Sequence, residues 1–418
     1  MVRMVSSANR DAAGTITSSV DPTAGQRFGL LDGMRGIAVL SVFALHVTNF
    51  SYPIREHWAS FARHLDVGVE IFFVLSGFLI YRPFVAAHLN GTAPSNVGEY
   101  ARKRIFRIYP AYVVAVLVLW RLHLAFNWHD VIVPDRTSLL KQLSLTWVWF
   151  AKQGGSIIGD SWTLCVEVTF YALVPIWAFF MRQTGRIVGS LRAEVAGAIT
   201  LIGLGIPATF WASYWAHSSN IYQAPVPDVR VPPALLSIPA GMLLATLSVE
   251  ANRSEQVRKW TTRAGRVPLL WWGAAITAYF VLSVVLLKPA VGLLPSFTAR
   301  EQNWQSLMQA VVAVLVMIPA VFGPMNNKLA GVLTWRPLVY MGMVSYSFYI
   351  WHGRAFHAIG RHWNDGVWPA LGFVVVAFVW SLAMATASYF VIERPFIRFA
   401  RRPLRDQLRR VLERRRPA

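Results

Sequence analysis

From Leu30 onward the sequence returns repeatedly to apolar runs of about 20 residues, and that recurrence leaves few folds open. At ~1.5 Å per residue, a helical run of this length crosses the hydrocarbon core of a bilayer. Backbone in lipid must satisfy its own hydrogen bonds, so such runs are helices. Composition agrees: 55% of residues are hydrophobic and 14% charged, against about a quarter charged in soluble domains. The pattern predicts an all-α, polytopic transmembrane bundle of about ten spans. They are expected near 30–50, 66–87, 107–126, 161–181, 193–216, 233–250, 268–288, 305–325, 337–357 and 367–392. The segment 139–155 is short and flanked by Lys141 and Lys152, so an interfacial or re-entrant position is expected.

Charge sets the expected orientation. The formal net charge is +20. In a soluble protein that would point to nucleic acid; here cytoplasmic loops and anionic headgroups account for it. The segments 99–107, 182–192, 253–266 and 393–418 are strongly basic, whereas 51–65, 217–232, 289–303 and 358–366 are nearly balanced. About ten spans with both termini inside put every basic loop in the cytoplasm. Residues 1–29 are expected to be a disordered cytoplasmic tail, 30–392 the transmembrane domain, and 393–418 a basic tail forming an amphipathic helix on the inner leaflet. No small-residue cleavage site follows the first run, so a removed signal peptide is not expected. Cys165 is the single cysteine, which excludes an intrachain disulfide. No internal repeat marks an inverted-repeat transporter.

Ionisable groups inside a bilayer are costly, so each is a functional candidate. In the expected orientation His46, Glu70, Glu167 and His352 fall at one depth in the outer half, and Arg35 lies near the inner end of the first span. Positions i and i+11 share a helix face, so Arg35 and His46 look the same way, roughly 16 Å apart. Each has a structural alternative. Arg35 can snorkel to headgroups, His46 can be a packing histidine, Glu70 can pair with Arg63, and His352 can be interfacial. Glu167 is hardest to dismiss, because a buried carboxylate needs a partner or a proton. His352, His357 and His362 diverge at spacings of five, so they form no metal face, and no metal is expected. Cys165 points away from Glu167.

Several blocks are familiar. "LDGMRGIAVLSVFALH" carries Arg35 and His46, and "GVEIFFVLSGFLI" follows at 68–80. "RKRIFRIYPAY" carries Arg104 and Arg107, "SWTLCVEVTFY" ends in a carboxylate and an aromatic, and "VSYSFYIWH" and "ERPFIRF" close the series. In this order the chain resembles the acyltransferase-3 family of integral membrane acyltransferases over 30–399. Cys165 stands where such blocks often carry a small polar residue.

The resemblance implies transfer of an acyl group from acyl-CoA, with acetyl-CoA the expected co-substrate, to a hydroxyl of an envelope glycan, glycolipid or glycosylated small molecule. No tightly bound cofactor is implied. The expected location is the bacterial plasma membrane. Fused family members carry an extracytoplasmic hydrolase-like domain; no such segment follows here, which is expected to disfavour a large polymer as acceptor. The family histidine corresponds to His46 as general base, with Glu167 or Glu70 as the carboxylate that orients it. Arg35, Arg104 and Arg107 would hold the anionic donor. Ser76, Trp162, Tyr171, Tyr349 and His352 are candidates for the pocket or the oxyanion donor. The rival reading is a proton-coupled exporter that uses the same His and Glu groups as a relay.

Overall fold

The structure, a computed structural model, describes residues 24–50, 61–62, 64–94, 96–126, 136–150, 156–218, 226–286, 298–359 and 367–402. Among these the regular structure is helical throughout. The long elements are α1 (Ala24–Phe50), α2 (Val67–Leu89), α3 (Val97–Phe126), α6 (Trp162–Val188), α7 (Ser190–Ser218) and α8 (Val226–Glu250). They continue with α11 (Ala299–Phe322), α13 (Arg336–Ile359) and α14 (Val367–Ser388). The short α4 (Arg136–Leu143) and α5 (Trp147–Phe150) occupy the segment expected to lie at the interface. A 3₁₀ turn, Gly159–Ser161, leads into α6. The remaining short elements are α9 (Glu255–Gly265), α10 (Pro268–Phe280), α12 (Lys328–Leu333) and α15 (Arg394–Arg401).

Among the described residues, eight helices are long and apolar enough to cross a membrane. The pair α9 and α10, bent by 63° at its break, passes the same test as a unit. α13 occupies the expected span 337–357, but Ser345, Ser347 and His352 are buried along it and lower its hydropathy. Among the described residues every expected span thus coincides with helix, and the differences lie at the ends. α1 starts at Ala24, inside the expected disordered tail, whose residues 1–23 lie outside the described ones. The basic stretch 99–107, expected as a loop, is the opening of α3. Its residues are good helix formers. Lys103 pairs with Glu99 one turn away at 2.7 Å, and the Asn96 side chain accepts from the Glu99 amide at 3.1 Å. Likewise 253–266 is mostly α9, begun by Ser254, whose hydroxyl accepts from the Val257 amide.

The bundle is organised around α2. Its Val69, Phe72, Phe73 and Ser76 line an internal cavity. A second face, with Glu70, Val74 and Gly77, packs on α8. There the two backbones touch: a Cβ on Gly77 would collide with the Ile238 carbonyl, and one on Gly241 with that of Val74. α1 and α13 approach as closely, since Gly342 leaves no space for a Cβ against the Asp32 carbonyl. These contacts hold Asp32, Arg35 and His46 of α1 against α13 and α2. α3 and α6 close the remaining sides of the cavity.

Candidate active site

Near the C-terminal end of α1, His46 meets two groups from elsewhere in the chain. Its Nδ1 donates to the Val42 carbonyl at 2.9 Å, the turn below on the same helix. Nε2 lies 3.3 Å from Oδ1 of Asp160, which the 3₁₀ turn before α6 carries. His352 of α13 donates from Nδ1 to the Tyr349 carbonyl at 2.8 Å, and its Nε2 stands 3.2 Å from His46 Nδ1. The backbone carbonyls fix both tautomers, leaving His46 Nε2, which faces Asp160, as the nitrogen that can take a proton. Aromatic rings pack around the pair: Phe356 stacks on His46 at 6.2 Å, and Phe348 on His352 at 6.1 Å. Donor atoms of His46, Asp160 and His352 lie within 4.8 Å of one another, compact enough for a cation, a grouping not expected from the sequence.

Neither carboxylate expected beside His46 is there. Glu70 accepts from the Ser237 hydroxyl on α8, because its position on α2 faces α8 rather than the cavity. Glu167 accepts from Ser76 at 2.7 Å and from Tyr171 one turn on. Within the described residues neither makes a hydrogen bond or ion pair with His46. The acid that does, Asp160, precedes the apolar run, where sequence alone does not mark it as an intramembrane charge. Its position immediately before α6, at the depth expected for His46, was the available signal.

Below this cluster, α1, α2, α3, α6 and α13 enclose a cavity of about 130 Å³. Ser76, Tyr171 and Tyr349, three of the five expected pocket residues, line it together with Glu167, which was expected beside His46; Trp162 packs edge-on against Phe73 and His352 stands in the histidine cluster, so neither lines it. Tyr349 joins cavity and cluster. It lines the cavity, its hydroxyl donates to the Asp160 carbonyl at 2.7 Å, and it lies 2.8 Å from Thr163 Oγ1.

The other end of the cavity is basic. Arg35, Arg104 and Arg107, with Leu79, form a wall shared with a second, far larger cavity of about 870 Å³. The three arginines predicted to act together do come together, but they are not equivalent. Arg35 pairs with Asp32 at 2.6 Å. Arg107 pairs with the buried Glu393, which also accepts from Ser347 at 2.9 Å. Arg104 has no acidic partner among the described residues. Its guanidinium lies 5.7 Å from the rings of both Tyr100 and Tyr171, and its Nε is buried without a hydrogen-bond partner.

Over residues 28–389 the chain matches the acyltransferase domain of the acyltransferase-3 family. It is 26% identical over 382 residues to the provisionally named peptidoglycan O-acetyltransferase YrhL of Bacillus subtilis, covering 87% of this chain and 54% of that protein. It is 21% identical over 376 residues to the O-acetyltransferase OatA of Staphylococcus aureus, covering 87% of this chain and 56% of OatA. The chain therefore spans about half the length of these relatives. No solved structure gives a significant match.

Proposed function

Because the chain belongs to the acyltransferase-3 family, we propose that it is a plasma-membrane O-acyltransferase that moves an acetyl group from acetyl-CoA to a hydroxyl of an envelope glycan, glycolipid or glycosylated small molecule. Peptidoglycan is the acceptor named for one relative. One observation carries the reading. A histidine whose one unprotonated nitrogen faces a carboxylate stands beyond one end of a cavity whose other end is rimmed by arginines.

The chemistry is as follows. His46 Nε2 takes the proton of the acceptor hydroxyl as its oxygen attacks the thioester carbonyl. Asp160, in the place expected for Glu167 or Glu70, lies 3.3 Å from that same nitrogen and balances the charge formed on the ring, whereas the carboxylate of a triad holds the opposite nitrogen. His352 holds the His46 ring from the side of Nδ1. Tyr349 and Thr163, whose hydroxyls both donate to the Asp160 carbonyl in the resting site, would turn toward the developing oxyanion at that end of the cavity. The C–S bond then breaks, and the imidazolium returns its proton to the leaving thiolate, releasing CoA–SH and the O-acetyl ester. Arg35, Arg104 and Arg107 bind the phosphates of the donor. The narrow cavity takes the pantetheine arm, with Glu167, Ser76 and Tyr171 facing its amides.

With ten spans and both termini inside, the arginine wall faces the cytoplasm and His46 the outer side. Donor and acceptor would then meet from opposite faces. The test uses purified protein in sealed vesicles of known orientation, with acetyl-CoA on the cytoplasmic face and a glycan acceptor on the other. Acceptor-dependent release of free thiol supports the reading. Product formed only with both substrates on the cytoplasmic face would make the enzyme one-sided. No thiol release, with proton-driven solute flux instead, would favour an exporter.

A further inference from the structure

The short helix α15 follows directly on a π-helical stretch, Tyr389–Glu393, that ends α14. The wider turn changes the direction in which later side chains project. Its last residue, Glu393, ties this point to Arg107 of α3 and Ser347 of α13. Beyond it, Phe396 stacks on Phe106 of α3 at 5.9 Å, and Phe399 meets the same ring edge-on at 5.4 Å. The Arg102 guanidinium donates to the Arg402 carbonyl at 2.8 Å. α15 is thus fastened to α3 along one side.

The opposite side faces the large cavity. Arg394, Ile397, Arg398 and Arg401, at i, i+3, i+4 and i+7, all line it. Of the cations around this space, Arg35, Lys103 and Arg107 already have acidic partners. Arg394, Arg398 and Arg401 have none among the described residues, and Asp32, already paired, is the one acidic residue lining the cavity. A wall of unpaired guanidinium groups around a cavity this large is built for a polyanion.

We propose that α15 reads the 3′-phosphate of coenzyme A, so that it sets donor specificity for CoA over its 3′-dephospho form. The inference rests on acetyl-CoA being the donor. With the pantetheine arm in the narrow cavity and the pyrophosphate at Arg104, the adenosine extends into the large cavity. There the 3′-phosphate meets Arg398 and Arg401. Anionic lipid headgroups offer the same chemistry at the inner surface, so the experiment separates the two.

Full-length protein is placed in nanodiscs of phosphatidylcholine alone or with phosphatidylglycerol. Thiol release is followed with acetyl-CoA and with 3′-dephospho-acetyl-CoA. For wild type, KM for the dephospho donor exceeds that for acetyl-CoA by about tenfold or more, the range of a charged hydrogen bond. Arg398→Gln and Arg401→Gln bring that ratio toward one in both lipids, and weaken stabilisation by adenosine 3′,5′-bisphosphate in a thermal-shift assay more than that by ADP. Arg263→Gln, on α9 and outside the cavity, keeps the wild-type ratio. A ratio unchanged in both α15 variants, while their melting stays at wild type, overturns the proposal. So does an effect confined to anionic lipid and equal for both donors, which would make α15 a headgroup anchor. If wild type releases thiol from neither donor while turning over another acyl source, the donor reading fails and this inference with it.

Discussion

His46 Nε2 and Asp160 Oδ1 lie 3.3 Å apart, joining the first long helix to the turn that opens α6. His46→Ala is expected to lower acetyl transfer by about 10²–10⁴-fold, the usual loss for a general base, with melting close to wild type. Asp160→Asn should lower kcat with little change in donor KM. The two losses should not add in the double variant, since both act on one proton transfer. Dialysis against a chelator should leave activity intact; a loss restored by zinc would make the trio with His352 a metal centre instead.

The two intramembrane glutamates should separate in kinetics. Glu167→Gln loses a carboxyl acceptor for Ser76 and Tyr171 in the narrow cavity, so donor KM should rise more than kcat falls. Glu70→Gln should leave both constants within a few-fold of wild type, because its partner is Ser237 on α8. Steady-state assays over both substrates decide this, and a kcat collapse in Glu70→Gln would return it to the active site.

The arginines should divide in the same way. Arg107→Ala leaves Glu393 buried and without its cation, a loss on the order of 3–5 kcal/mol for a broken buried pair. Its clearest signature is a lower melting temperature in nanodiscs. Arg104→Ala breaks no ion pair among the described residues and should raise KM for acetyl-CoA while melting near wild type. Arg35→Lys should rescue Arg35→Ala only partly, because an ammonium lacks the bidentate fork.

Asp66 sits just outside α2, accepting from Gln305 at 3.0 Å and from Gln309. Burial pushes its carboxyl up to about 6, against the opposing effect of those hydrogen bonds. A raised carboxyl binds a proton more tightly when folded than when unfolded, so its contribution to stability grows as pH falls from 7 through 6 toward 4. Asp66→Asn should therefore melt no lower than wild type at pH 7.5 and show a smaller rise between pH 7 and pH 5. A variant that melts lower at pH 7.5 and keeps the wild-type pH dependence would place the effect elsewhere.

Much of this was legible along the chain. Hydropathy located the long helices, and helix periodicity put Arg35 and His46 on one face. The order of the motif blocks carried the family. Helix ends were misjudged where charged residues, such as those of 99–107, are good helix formers and continue a span past the lipid. The site's partners were misjudged for a different reason. Glu70 and Glu167 share the expected depth of His46, but depth says nothing about rotation. Two residues level in the membrane meet only if both helices turn them inward.

Sequence alone thus determined the all-helical class and the candidate histidine and arginines, because apolar run length and local periodicity depend only on neighbours along the chain. Tertiary structure alone chose Asp160 as the acid beside His46, paired Arg107 with Glu393, and turned the α15 arginines toward the cavity. Those choices follow from how the helices rotate as they pack. Close backbone contacts such as Gly77 on Ile238 and Gly342 on Asp32 set that rotation, and they join residues far apart in the chain that no local pattern relates.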